Sequence, residues 1–292
     1  MQRKLLASFA ISVAALAVPV AGHAQGQPPL FATTKITDNV YTFRYQGHQA
    51  MFIVTPQGVI ATDPISENRP AADAYLAEIK KITQAPIRYV VYSHHDADHI
   101  AGGKPFKDAG ATFVAQRFAK GNIANMKRAD IVPPDEVFDE KRTISLGGTD
   151  LELNYIGKNH TEDMLVMRLP RERMIFTVDW IPVQGVLFQN MATFYVPEIE
   201  DGIKKVLTMD WDRLIPGHPG PGGRLGTKED VQNLVGYLSD LSAEVKKAAD
   251  AGKCPDQAKA EIKLPKYASW TNYNNYLPGN IERYCTYWTT GK

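Results

Sequence analysis

The segment Tyr92 to Gly103, YSHHDADHIAGG, sets three histidines and two aspartates within six positions and closes on paired glycines. His94, Asp96, Asp98 and His99 offer imidazole nitrogens and carboxylate oxygens, the donor types that hold divalent metals. The competing reading of this segment alone is a polar turn in which Asp98 caps a helix and the histidines face solvent. The rest of the chain favours the metal. Setting His23 aside, five of the six remaining histidines fall at the ends of strand-like runs: His94, His95 and His99, then His160 in GKNHTED, then His218 in LIPGHPG. Asp179 ends another such run, MIFTVD. Two metal ions close together share a water, lower its pKa and polarise a substrate oxygen, which is the chemistry of hydrolysis without a serine or cysteine nucleophile. No GxSxG elbow stands in the chain.

The elements that must position these groups are legible as alternations of period 2 and 3.6. Strand-like runs are VYTFRY (40–45), AMFIVTP (50–56), GVIATDPI (58–65), IRYVVYS, ATFVAQ (111–116), ISLGGTDLELNYIG (144–157), MLVMRLP (164–170), MIFTVDW (174–180) and DRLIPG. Helical spacing is found in AADAYLAEIKKI after Asn68 and Pro70, near His99, through the 120s, in IEDGIKKVLTM, and from about Lys228 to Ala251. The two βα-rich halves predict two sheets covered by helices. From Lys253 onward the chain is rich in aromatic residues and reads as a helical, aromatic-rich C-terminal appendage.

A strand followed by histidines, aspartates and glycines, a loop His beside Thr, a strand-end Asp and a late Gly-His resembles the metallo-β-lactamase-fold hydrolases, from about Val40 to about Ala251. The resemblance implies an α/β fold, an αββα sandwich of two face-to-face sheets with helices outside. It makes Asp63 a structural aspartate at the end of an early strand. It assigns one metal to His94, Asp96 and His160 and the second to Asp98, His99 and His218, with Asp179 bridging. Asp98 is then also the catalytic residue that orients the nucleophile and exchanges its proton. His95 falls at a variable position of the motif and is left outside the ligand set, as an exposed or supporting histidine.

Asp96 departs from the family pattern, which has histidine there. The resemblance implies two divalent metal ions, zinc first; a carboxylate is a harder donor and adds negative charge, which favours iron or manganese relative to zinc and makes them the alternatives that Asp96 introduces. The implied function is a metal-dependent hydrolase that uses a metal-bound hydroxide on a small ester, lactone or β-lactam-like substrate. The alternatives are a di-iron oxidoreductase and a non-catalytic metal-binding member of the fold. Phe188, Phe194, Tyr195 and the aromatic tail suggest an apolar pocket wall, against ordinary core packing. His48, in YQGHQAM, is read as a surface histidine of a turn, with an overhanging position as the alternative.

The remaining expectations come from composition. The 33 basic and 32 acidic residues nearly balance, which argues against a nucleic-acid partner and leaves a small molecule as the substrate. The start, MQRK, the apolar run that follows and AGHA before Gln25 have the layout of a signal peptide covering residues 1–24. Ser8, Ser12 and Pro19 interrupt the run, which is short for a membrane span, so a periplasmic or secreted protein without a stable anchor is expected. Cys254 and Cys285 are then expected to pair in an oxidising compartment, two free thiols being the alternative. The organisation expected is therefore a signal peptide (1–24), a metallo-β-lactamase-like domain (25–252) and an appendage (253–292).

Overall fold

Alternating side chains along a strand point to opposite faces, so a strand that is apolar at every position must have a core on each side. The run 50–54 within the strand His48–Thr55 does so: Ala50 and Phe52 enter one core, Met51 and Ile53 another. The computed structural model describes residues 29–66 and 70–292; the expected signal peptide and Asn68 lie outside them.

One sheet has seven strands in chain order: β1 (Phe31–Lys35), β2 (Val40–Tyr45), β3 (His48–Thr55), β4 (Gly58–Thr62), β5 (Ile87–Val91), β6 (Thr112–Gln116) and β7 (Glu136–Phe138). β1 to β4 are antiparallel neighbours, and β4 to β7 are parallel. The second sheet holds β8 (Lys141–Leu146), β9 (Thr149–Tyr155), β10 (Leu165–Leu169), β11 (Met174–Thr177) and β12 (Arg213–Pro216), with β11 and β12 parallel.

Three apolar layers hold the fold together, and their order is that of an αββα sandwich. Helices α1 (Ala71–Ile82), α3 (Lys104–Asp108) and α4 (Arg117–Met126) cover the first sheet, where Tyr75, Phe106 and Ile123 meet Phe43, Phe52 and Phe113. Between the sheets lie Met51, Ile53 and Val91 against Leu153, Met167 and Phe176. Outside the second sheet, α5 (Val196–Thr208), α6 (Lys228–Asp250), α7 (Asp256–Glu261) and α8 (Tyr273–Thr290) pack Ile203, Leu234, Leu241 and Ile281 onto Val166 and Ile175. Burial of large side chains at about 25 cal/mol per Å² drives this layering.

The sequence runs map closely onto these elements, with three differences. The run at 144–157 is a hairpin, β8 and β9, turned at Gly147 and Gly148 in the left-handed region. The helix expected near His99 is only one turn, α2 (Ala97–Ile100). β1 and β7 lacked a strong alternation and were not anticipated.

One face of the tail enters the core. Tyr267, Tyr273 and Tyr284 are buried in the same layer as α5 and α6, and a disulfide joins Cys254 to Cys285 with Cα atoms 5.5 Å apart. Among the described residues, no helix is long and apolar enough to cross a membrane.

The glycines that close the opening motif serve packing. Gly102 donates its N–H to the Pro64 carbonyl at 2.8 Å, which ties the end of α2 to the exit of β4. A Cβ at Gly102 would overlap that carbonyl oxygen and lie 2.7 Å from Ala72 Cβ. Gly102→Ala is therefore expected to destabilise the fold by roughly 1–3 kcal/mol through overpacking. The check is a lower denaturant midpoint at unchanged m value.

Candidate metal centre

The parallel strands of both sheets run out at one edge of the sandwich, where side chains from different strand ends converge. His94, Asp96, Asp98 and His99 follow β5, the last two on α2. His160 lies between β9 and β10, Asp179 just beyond β11, and His218 just beyond β12. All seven residues singled out in the sequence meet there.

They form two adjoining groups of donors. In the first, His94 Nε2 lies 3.0 Å from Asp179 Oδ2 and 3.5 Å from Asp96 Oδ2. His160 Nε2 donates to Asp96 Oδ2 at 2.9 Å and lies 3.4 Å from Asp179 Oδ2. In the second, the other Asp179 oxygen, Oδ1, is 2.5 Å from His218 Nε2 and 3.4 Å from His99 Nε2. One carboxylate thus faces both groups, one oxygen to each. Asp179 adopts a left-handed φ of 69°, a conformation uncommon for a residue with a Cβ and often found at functional sites.

His48 is the residue that sequence reasoning underrated. It stands at the start of β3, and its Nε2 donates to Asp98 Oδ2 at 2.9 Å. Its ring centroid is 5.0 Å from that of His99 and 4.7 Å from that of His218. His48, His99 and His218 can each present a nitrogen within 4.8 Å of the others. The surface position expected for His48 is therefore corrected: the hairpin of β2 and β3 turns it over the site. The tight Gln46–Gly47 turn, with Gln46 in the left-handed region, was the available signal, but which way a hairpin end leans depends on the partner sheet.

Supporting contacts orient the rings. His218 Nδ1 donates to the Gly47 carbonyl at 2.7 Å, which leaves Nε2 as the nitrogen turned inward. His94 Nδ1 shares a hydrogen bond of 2.8 Å with Ser93 Oγ, and Ser93 N–H donates to the buried Asp63 at 2.7 Å. Asp63 has a left-handed φ of 36° and anchors the chain that leaves β5. His95 Nδ1 donates to Asp163 Oδ1 at 2.7 Å.

Charge in the site is balanced by proximity. Burial opposes ionisation of Asp179, yet His99 and His218 hold its carboxyl well below the usual range. Burial would likewise raise Asp98, but the His48 hydrogen bond and nearby His99 bring it down to about 2. Burial disfavours charge on His94, and Asp96 and Asp179 outweigh it, pushing the imidazole well up. Proton and metal compete for the same lone pairs in such a cluster.

The residues fit divalent cations. His94 Nε2 and His99 Nε2 are fully buried, lie among carboxylates and make no hydrogen bond of their own. Buried nitrogens without partners are costly unless something else satisfies them. Imidazole and carboxylate donors converging on two points supply what such a cation requires.

The centre forms the floor of a cavity of about 610 Å³. Phe188, Gln189, Asn190, Thr193 and Phe194 wall it, and the Phe194 ring meets His160 edge-on at 4.7 Å. Tyr195 lines a neighbouring cleft instead. The aromatic tail reaches this wall through Tyr276, 5.4 Å from Phe188 between ring centroids.

A family profile described as the metallo-beta-lactamase superfamily matches residues 46–218, which contain every residue of the two donor groups. The chain belongs to the metallo-β-lactamase superfamily. Its members are mostly metal-dependent hydrolases, and this one carries candidate metal-binding residues at the shared edge of its two sheets. Among curated relatives, the alpha subunit of 2,4-dinitroanisole O-demethylase from Nocardioides sp. (strain JS1661) is 24% identical over 65% of this chain and 58% of its own length. The linear primary-alkylsulfatase of Pseudomonas sp. (strain ATCC 19151) is 21% identical over 79% of this chain and 53% of its own. The chain thus spans less than two thirds of either relative.

Solved structures of the superfamily share the fold. A metallo-beta-lactamase from Pontibacter korlensis superposes with a TM-score of 0.62 and 21% identity, covering 72% of this chain and 99% of its own. The stereoselective inverting sec-alkylsulfatase Pisa1 from Pseudomonas sp. reaches a TM-score of 0.70 at 16% identity, covering 88% of this chain and 50% of its own.

Proposed function

We propose that this chain is an exported, two-metal hydrolase of small ester-class substrates, with lactones, carboxylic and sulfate esters and β-lactam-like rings as the class to test. The observation that carries the reading is the pair of fully buried ring nitrogens, His94 Nε2 and His99 Nε2, which face the Asp179 carboxylate at 3.0 and 3.4 Å without a hydrogen bond of their own, beneath an apolar-walled cavity. His94, Asp96 and His160 would hold one divalent ion, and Asp98, His99 and His218 the other, with Asp179 shared. Such ions supply hydroxide at neutral pH and polarise the substrate oxygen.

The chain's own residues do the rest. Asp98 lies on the cavity side, 31% exposed, and can orient the attacking water and take its proton. His48 N–H holds that carboxylate in place. Phe188 and Phe194 exclude water from one side of a bound substrate and offer apolar contact to its leaving group or acyl part. The sulfate ester is included because two of the relatives named above are alkylsulfatases. The Cys254–Cys285 disulfide supports an exported protein.

Metal analysis of the purified protein, with assays on a lactone, an aryl ester, nitrocefin and an alkyl sulfate, tests this reading. Two equivalents of zinc with turnover of one of these are expected. Bound iron with oxygen consumption would replace it by a di-iron oxidoreductase, and no turnover with any metal would leave a binding protein. Asp96→His is expected to keep or raise zinc affinity, because imidazole is the softer donor. A collapse of affinity in that variant would show that the carboxylate is required.

A further inference from the structure

The cavity wall is a loop, residues 184–194, that runs between β11 and α5 with three non-glycine residues, Gln184, Gln189 and Met191, in the left-handed region. Its backbone is gripped almost wholly by the C-terminal helical segment. Asn280 of α8 is fully buried, and its Nδ2 donates to the carbonyls of Leu187 at 3.0 Å and Gln189 at 2.8 Å. The Asn280 amide is oriented by Tyr237 of α6, whose hydroxyl donates to Oδ1 at 2.8 Å. Arg283 Nη2 donates to the Phe194 carbonyl at 2.7 Å. At the near end, Thr271 N–H donates to the Gln184 carbonyl at 3.0 Å, and Val186 N–H donates to the Thr271 carbonyl at 3.3 Å.

Gly279 lets the two segments come this close. A Cβ there would lie 2.7 Å from the Gln189 carbonyl oxygen and 2.8 Å from Asn190 Cα. A glycine inside a helix costs stability, so its presence one residue before Asn280 is explained by this approach.

We propose that Asn280, with Gly279 and Arg283, is a positioning group for substrate selection: the C-terminal helix sets the path of the cavity wall and thereby the size of the apolar group the site accepts. The contacts run to backbone carbonyls at 187, 189 and 194, so they fix where the chain goes. The side chains of Phe188, Gln189 and Asn190 remain free to face the substrate. None of these residues touches the metal donors, and all three lie beyond the family profile, which ends at residue 218. The site would then be composite: chemistry from the sandwich, selectivity from the tail. This rests on the hydrolase reading above only for the selectivity arm of the test.

Asn280→Asp is nearly isosteric and removes both Nδ2 donors, placing an anion against two carbonyls. Gly279→Ala improves helix propensity while crowding Gln189, so general unfolding of α8 is not its expected effect. Hydrogen–deuterium exchange of the full chain should show amides 186–194 exchanging at least ten-fold faster in both variants, with β10 and α6 unchanged. Steady-state kinetics on p-nitrophenyl acetate and p-nitrophenyl octanoate should show the ratio of kcat/KM for the two esters shifting at least five-fold, chiefly through KM. Unchanged exchange at 186–194, or an increase spread equally over α6 and β10, overturns the proposal. So does equal loss on both esters, which would make Asn280 an ordinary core contact. If the parent protein hydrolyses neither ester, the choice of those substrates fails, and the exchange arm alone decides whether the helix positions the wall.

Discussion

Asp179→Asn is expected to lower hydrolysis by at least about 10²–10³-fold, the scale of losing one preorganised electrostatic group at a reacting centre. The amide is isosteric, so the change tests charge rather than shape. Asp179 presents Oδ2 to His94 and His160 and Oδ1 to His99 and His218, at distances between 2.5 and 3.4 Å. Neutralising it removes a donor from both groups and leaves four imidazoles around a neutral amide. The measurement is metal content together with turnover, with circular dichroism as a control for folding. Bound metal is expected to fall below one equivalent per chain. Two equivalents with undiminished turnover would sink the shared-carboxylate reading.

Removal of the Cys254–Cys285 disulfide has the largest expected effect on stability. It closes a loop with a sequence separation of 31, and the chain-entropy relation gives roughly 3–4 kcal/mol for a loop of that size. For a protein of this size that corresponds to a fall in Tm of roughly 6–16 °C. The bridge pins α8 to the start of α7, so the loss should begin in the C-terminal helices, which pack on the second sheet through Ile281 and Tyr284. Calorimetry of the double variant Cys254→Ser, Cys285→Ser measures it. An unchanged Tm would mean that packing of α8 on α6 alone holds the tail.

The two results bear on different links of the argument. The first tests whether strand ends deliver a functional site, and the second whether the tail is held firmly enough to shape it. Their independence follows from distance in the fold: Asp179 belongs to the edge shared by the sheets, whereas Cys285 lies in the outer helical layer.

Much of the molecule was legible along the chain. β2, β4, β5, β10 and β11 announce themselves as β-branched and apolar runs between turn residues, because strand pairing and burial act on neighbouring positions. The candidate donors His94, Asp96, Asp98 and His99 stand out because four ligand-type residues so close together at a strand end have few other uses. His160, Asp179 and His218 were legible for a related reason, each standing just past a strand. β7, with only three residues, and β1, partly exposed, carry too weak a pattern to be read this way.

What the chain alone determined, then, is the chemistry of the donors and the layered α/β architecture, since side-chain type and local periodicity are properties of adjacent residues. Tertiary structure alone decided which groups meet. His48 reaches Asp98 across 50 positions and Asn280 reaches Leu187 across 93, and neither contact leaves a local pattern. The physical reason is that such pairs are brought together by packing of whole layers, whose apolar side chains constrain the sum of many contacts rather than any one pair. The motif at residues 92–103 therefore names candidate metal donors, while the fold determines that His48 leans over them and that a helix nearly two hundred residues later holds the opposite wall.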